Sequence, residues 1–449
     1  MAQAIRIRMS AGCLYFAFAS IALLAADRAQ AAGFALPLQS AGAASVSSAG
    51  QTAIARDAAT VYYNAAGMTQ LDKPQLLAVS ALVLASHSFD NSGTAAALGD
   101  PAKGQSGDRD ETFLIPSLFA TTPISDRLSV GLGLFSPFGQ SNTYTDDWVG
   151  RYHLQRISLK VADIDLAVAY RLTDTLSVGG GIDLQYARLT RKNALDLGAL
   201  CIVSVGPSTC SGLGLGPQGA DGRLTASGAD WNVGFNVGLL YDDGFGTHIG
   251  VNYRSAVRHD FSGTARFDVP ANAMPLTAGG QFQNTGLHSV ITFPDIAAFG
   301  ISHKIDDRFT VLADFNWVGW SRIRQLTLDF TSPLQPDQGL ALNWKDSVRG
   351  AIGGIYSISA DTDVSAGISY DQTPVSRTFR SADLPDSDEI MISAGVLHRF
   401  TESFSMTFSY SYGDYAAAPT NLALMGAGLL SGTFHRNSNA IALDVQIGL

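Results

Sequence analysis

Beyond residue 31 no apolar run reaches the roughly 20 residues a membrane-spanning helix needs, yet segment after segment alternates apolar with small or polar side chains. Alternation with period two is the pattern of a strand with one apolar face. It is clearest in Leu128-Ser-Val-Gly-Leu-Gly-Leu134. It recurs at Ile164, Leu166, Val168, Tyr170 and Leu172, and again at Leu176, Val178, Ile182, Leu184 and Tyr186. Trp231, Val233, Phe235, Val237, Leu239 and Tyr241 continue it, and Ile441, Leu443, Val445, Ile447 and Leu449 end the chain.

Periodicity alone does not say whether the apolar face looks into a soluble core or out to lipid; the connections do. Six are tight and polar: Pro123 to Arg127, Thr173 to Thr175, Asp242 to Gly246, Asp306 to Arg308, Ala360 to Asp363 and Thr401 to Ser403. Between them lie longer Gly/Ser/Asp/Pro-rich loops near 90–111, 137–153, 190–228, 268–288, 331–345, 373–388 and 414–438. Short turns alternating with long loops are the mark of an outer-membrane barrel, with the short turns in the periplasm. Six turns join seven hairpins, which predicts an all-β fold: a transmembrane antiparallel β-barrel of fourteen strands over 75–449. Only 15% of residues are charged, against about 25% in an average soluble chain. Tyr170, Tyr186, Tyr241, Tyr253, Phe400 and Phe404 fall near strand ends, where an interfacial girdle lies. The terminal Leu449 departs from the aromatic residue that usually ends such a barrel.

The first residues fit an exported protein. Arg6 and Arg8 precede an apolar stretch from Cys13 to Ala26, and Ala29-Gln30-Ala31 reads as a cleavage site, so 1–31 is expected to be a signal peptide. Cys13 opens the apolar stretch instead of ending it, which argues against a lipoprotein. Residues 32–74 do not alternate. They are rich in Ala, Ser and Gly, with a short helix expected over Ala53–Thr60, and they suit a plug folded inside the lumen.

Specific segments support that reading. Gly33-Phe34, Ser45 to Gly50 and Ala55-Arg-Asp-Ala-Ala-Thr-Val-Tyr-Tyr-Asn-Ala-Ala-Gly-Met68 resemble the N-terminal hatch of the FadL family of long-chain fatty acid transporters. That family has Asn-Pro-Ala where this chain has Asn64-Ala65-Ala66, followed by Gly67. The resemblance continues in Ser136-Pro-Phe-Gly139, Trp148-Val-Gly-Arg-Tyr152, Ala169-Tyr-Arg-Leu172 with Leu176-Ser-Val-Gly-Gly-Gly181, and Asp314-Phe-Asn-Trp-Val-Gly-Trp-Ser321. Tyr370-Asp-Gln-Thr-Pro-Val375 with Leu384-Pro-Asp-Ser-Asp388 completes it. It implies a fourteen-stranded barrel with a hatch, taking up hydrophobic molecules and releasing them sideways beside a kinked third strand.

Other chemistry is poorly supported. The net charge of −10 argues against nucleic acid, which needs a basic face. Gly214-Leu-Gly-Pro-Gln-Gly219 matches a nucleotide-binding pattern by letters, but it sits in a loop and contains Pro217. The eight His residues are scattered and no Ser lies in a G-x-S-x-G elbow, so no catalytic residues, metal or cofactor are expected. Cys201 and Cys210 lie close together and are expected to form a local disulfide. The acidic clusters Asp146-Asp147 and Asp383/Asp386/Asp388/Glu389 read as solvated loop tips, with cation bridging to anionic surface lipid as the alternative.

For an apolar ligand the candidates are Phe135, Phe138, Trp148 and Tyr152, with Arg151 to meet a carboxylate. The alternative is that the aromatics pack the loop and Arg151 pairs with Asp146 or Asp147. The expected function is an outer-membrane channel for passive uptake of long-chain fatty acids or other lipophilic compounds. Such a channel is a monomer among outer-membrane lipid and lipopolysaccharide. A diffusion porin and an adhesive surface protein are the rivals; the porin demands charged lumenal rings and no plug, whereas inward positions read mostly as Gly, Ser, Ala and Asn.

Overall fold

The structure, a computed structural model, describes residues 33–449, so the expected signal peptide lies outside the described residues. Their strands form one closed antiparallel barrel. β1 (Gln75–Asn91) and β2 (Arg109–Pro123) are its first two staves, and the third is split into β3 (Leu128–Phe135) and β4 (Gly139–Thr143). β5 (Arg156–Arg171), β6 (Leu176–Asp196) and β7 (Asp221–Asp242) follow unbroken. The next two staves are β8 (Thr247–Arg254) with β9 (Val257–Asp268) and β10 (Thr285–Phe293) with β11 (Ile296–Lys304). Then come β12 (Phe309–Val318) with β13 (Gln325–Phe330) and β14 (Gln338–Ala341) with β15 (Ser347–Ser357). β16 (Thr362–Asp371), β17 (Glu389–Thr401), the stave of β18 (Phe404–Tyr415) with β19 (Ala418–Leu424), and β20 (Gly428–Gly448) complete it. The twenty segments make fourteen staves because six staves are interrupted once each. β20 pairs back onto β1, Gly448 opposite Gln75, so the sheet closes on itself into a barrel.

The alternation faces outward. Leu166, Ile182 and Ile352 are 61–63% exposed, which a soluble core would not allow and a lipid-facing wall requires. The six short turns stand where expected. Two of the long loops do not. In 190–228 the strands β6 and β7 continue, paired up to Asp196 opposite Asp221, so the connection narrows to 197–220, and 414–438 are mostly β19 and β20, paired up to Leu424 opposite Gly428. Above the bilayer both faces of a hairpin meet water, so polar composition there does not mean loop.

The N-terminal region lies inside the barrel. Its helices, Ala41–Ala44, Gln51–Ile54 and Thr60–Tyr63, with a tighter turn over Ala65–Gln70, are too short to hold by propensity alone. The wall positions them. Asp444 accepts from the backbone of Ala41 (2.7 Å) and Gly42 (3.0 Å), Asp314 accepts from Thr52 N–H (3.1 Å), and Arg349 donates to Ser47 O (2.6 Å). Gly250 and Gly367 face this region so closely that a Cβ would strike the carbonyls of Thr52 and Val46. The single helix expected over Ala53–Thr60 is instead broken: Ala55 is left-handed (φ 44°), and Asp57 accepts from Ala59 N–H (2.9 Å) to start the next turn.

The lumen is also more charged than small residues alone suggested. Asp165 and Asp183 hold Arg254, whose guanidinium lies 5.0 Å from the Tyr62 ring centroid. These charges are spent on one another and on the hatch, not arranged as rings along an open pore.

Candidate functional site

The third stave carries the irregularity that shapes the site. Pro137 has no N–H to give to a ladder and restrains Ser136 before it, so the strand breaks between β3 and β4. Pairing of β2 with this stave stops at Leu118 opposite Leu134, while β2 continues to Arg109; β4 pairs only with β5 among the described strands. The wall is therefore open between β2 and β4. The N-terminal segment closes the gap from inside. Leu36 N–H donates to Pro137 O and Gly139 N–H to Phe34 O, both at 2.9 Å, and Gln39 spans the opening by donating to Ser136 O (2.7 Å) and accepting from Ser117 (3.1 Å).

Beside the gap lies an aromatic chamber. The Phe34 ring sits 4.7 Å from Trp320, 5.4 Å from Phe293, 5.7 Å from Phe138 and 5.7 Å from Trp344, centroid to centroid. Strand breaks turn these residues inward: Phe293 precedes Pro294, Trp320 follows β12, and Trp344 lies between β14 and β15. Next to the chamber is a cavity of about 90 Å³, lined by Ile296, Val318 and Trp320 and by the charged Arg254, Arg349, Asp314 and Asp371. Arg349 Nη1 is buried there with no hydrogen-bond partner among the described residues.

The residues singled out from sequence fall in three places. Phe138 belongs to the chamber. Phe135 points to the hatch, 4.9 Å from Tyr62 and 5.7 Å from Phe119. Trp148 is fully buried in the loop after β4, stacked 4.0 Å from Tyr144, with its indole N–H on Leu154 O. Arg151 donates to Asp221 (2.7 Å) and to the Tyr152 hydroxyl (2.8 Å), which itself donates to Asp221 (2.7 Å). Burial opposes the Arg151 charge, but Asp221 and Tyr152 outweigh it and hold its pKa above the ordinary value. Burial, reinforced by Asp221, pushes the Tyr152 phenol up.

In the hatch, Asn64 donates to Thr52 O (2.8 Å) and Leu239 O (2.9 Å) and accepts from Ala66 N–H (3.2 Å). Ala65, Ala66 and Gly67 are buried, and a Cβ on Gly67 would strike Thr60. Cys201 and Cys210 are joined by a disulfide in the loop between β6 and β7.

The second acidic cluster is not a solvated tip. Asp383, Asp386 and Glu389 are buried, because the loop 372–388 folds into the barrel mouth. There Asp383 pairs with Arg191 (2.7 Å), and Asp386 accepts from Gly33 N–H (3.0 Å). Sequence reasoning did not single out Phe34, Gln39, Phe293, Trp320, Trp344 or Arg349 for this site. Pro137 and Pro294 were the available signals, since a proline inside an alternating run announces a break.

Residues 22–447 match the family model for outer membrane transport proteins (OMPP1/FadL/TodX). This chain belongs to that family, whose members are outer-membrane transport channels and not enzymes. It is 28% identical over 421 residues to the long-chain fatty acid transport protein of Escherichia coli K12, covering 88% of this chain and 91% of that one. It is 27% identical over 416 residues to outer membrane protein P1 of Haemophilus influenzae Rd, covering 88% of each. Among solved structures, a Pseudomonas aeruginosa FadL homologue superposes with a TM-score of 0.84 at 20% identity, over 93% of this chain and all of that one. The Ralstonia pickettii toluene transporter gives 0.63 at 20% identity, over 90% and 98%.

Proposed function

We propose that this protein admits long-chain fatty acids passively and releases them sideways into the outer membrane through the gap in its third stave. The observation that carries the reading is that gap: a break in hydrogen bonding between β2 and β4, covered from inside by the N-terminal segment and flanked by an apolar chamber. An apolar solute gains about 0.8 kcal/mol per methylene on leaving water, so it favours the chamber over an aqueous pore. Phe34 occupies the chamber centre, and the ligand replaces it there, freeing the segment that closes the wall. Among the ligand candidates Phe138 lines this path, while Trp148, Arg151 and Tyr152 shape the loop above it.

Arg349 favours a fatty acid over an aromatic hydrocarbon. The buried Arg349 Nη1, with no hydrogen-bond partner among the described residues, lines a cavity that Ile296, Val318 and Trp320 share, and so suits a carboxylate head with its tail in the chamber. The name of the Escherichia coli relative supports this choice; that of the Ralstonia neighbour supports the aromatic alternative. The test is uptake of labelled oleate and of toluene by cells lacking their own transporter, with and without this protein. Oleate entry supports the proposal, and toluene alone moves the substrate class. Sugar entry without either would establish a diffusion pore.

A further inference from the structure

A second break in the wall lies between the eighth and ninth staves. Below it Ile296 pairs opposite Val318, and Gly319 N–H donates to Asp295 O at 2.9 Å. Above it Leu287 opposite Phe330 and His288 opposite Asp329 are the two pairs that join β10 to β13. Between these anchors six residues, 289–294, face nine, 320–328, and strands in register cannot match unequal lengths. No backbone hydrogen bond crosses from one stretch to the other among the described residues; β10 bonds there to β9, and β13 to β14. Pro294 has no N–H to give, and the chain after β12 turns aside at Trp320–Arg322.

Side chains seal this break. Phe293, Trp320, Ile323 and Leu326 belong to one buried apolar cluster, with Ile291 packed against it. Ser289 Oγ, on the same stretch of β10, is buried with no partner among the described residues. At the lower corner Arg322 donates through Nε and Nη2 to both oxygens of Asp295, at 2.7 Å each. The Arg322 side chain is 44% exposed, and its Nη1 takes no part in that pair. Just below runs the row Tyr253, Ala297 and Trp317, on the outward side shared with the exposed Phe299 and Phe315. Its aromatic members mark the edge of the bilayer.

The two breaks share one chamber. Phe138, beside the third stave, lies 5.3 Å from Phe293 and 6.4 Å from Trp320, centroid to centroid. They differ in what holds them shut. At the third stave the N-terminal segment bonds backbone to backbone with Pro137 and Gly139, but it makes no backbone hydrogen bond to 289–294 or 320–328 among the described residues. A seal of side chains opens by rotamer changes, whereas backbone bonds must be broken.

We propose that the break between β10 and the chain after Trp320 is an entry port for acyl chains lying in the outer leaflet. The chain passes between Ile291 and Ile323 into the chamber, while its carboxylate meets Arg322 at the bilayer edge. Inside, it displaces Phe34 and leaves by the third stave. The inference rests on the transport reading and adds the entrance to it.

The test bridges the break. The outward Val290 and Thr327 stand on its two sides, and in Val290→Cys/Thr327→Cys a short bifunctional methanethiosulfonate reagent joins the two thiols reversibly. In cells lacking their own transporter, the bridged protein is expected to lose oleate uptake and to regain it when the bridge is reduced. Each single-cysteine variant, treated alike, is expected to keep its uptake. Undiminished uptake through protein shown by mass to be bridged overturns the port. No uptake by the unaltered protein overturns the transport reading, and this inference with it.

The unaltered protein provides a second route that depends on no variant. In phosphatidylcholine vesicles, a fatty acid carrying a diazirine on its acyl chain is expected to label 291–293 and 323–326 as well as Phe138. Labelling around Phe138 alone overturns the port and leaves the exit standing.

Discussion

Gln39 donates its side-chain amide to the carbonyl of Ser136 at 2.7 Å, tying the N-terminal segment to the strand break that opens the barrel wall. The same side chain accepts from Ser117 on the far side of the opening, so one residue bridges both edges.

Gln39→Ala should loosen this closure while sparing the barrel. Losing buried hydrogen bonds costs about 1–3 kcal/mol. Amide exchange at Leu36 and Gly139, both bonded across this contact, should therefore accelerate by about tenfold or more, with little change in exchange along β5 or β6. Unchanged exchange at Leu36 would sink the gate reading.

Removing residues 33–68 should turn a closed barrel into a conducting one in a planar bilayer, because the described lumen is filled by that segment. Gly250→Val should give a milder form. Its side chain meets the Thr52 carbonyl, and overpacking of about 1–3 kcal/mol should appear as flickering openings. Silent bilayers after the deletion would refute the plug assignment.

Arg349→Gln should reduce oleate uptake about tenfold or more, the cost of removing a charge-assisted bond, and leave toluene uptake, if any, unchanged. Arg349 also holds Ser47 O and lies 3.8 Å from Asp371, so Arg349→Lys provides the comparison for hatch placement. Equal loss of both solutes would mean that the residue acts through structure and not as a carboxylate contact.

Acid should loosen the loop between β4 and β5. Burial, with the nearby Arg191 charge, lowers the His153 pKa to about 4. The folded loop therefore binds fewer protons than the unfolded one. Its stability is complete above the unfolded value of about 6.5 and falls as pH drops through 6.5 towards 4, by up to about 3 kcal/mol. Limited proteolysis of this loop should accelerate from pH 7 to pH 5, and His153→Gln should flatten that dependence. A pH-independent rate in the parent contradicts the assignment.

Several features of the site were out of reach of local pattern. Phe34 and Trp320 are 286 positions apart in the chain, yet their rings lie 4.7 Å apart; no window of sequence contains both. Arg151 looked available for a carboxylate with Asp146 and Asp147 as the nearby acids, but Asp221 reaches it from β7 because the hairpin of β6 and β7 is tall. Asp386 read as a loop acid because nothing local tells a loop that rises into water from one that folds back into the mouth.

What sequence by itself determined was everything set by near neighbours and by the solvent on each side. Period two made strands, lipid outside selected which face is apolar, and short polar turns set the count of fourteen. Ala, Ser and Gly before Gln75 marked a segment able to pass inside a barrel. Tertiary structure alone decided where that segment rests, which carboxylates it meets, and which aromatics the strand breaks gather around Phe34. Those outcomes depend on barrel closure, which brings β20 against β1 and the N-terminal segment against β3, β12 and β17. Contacts across a lumen have no signature in local periodicity.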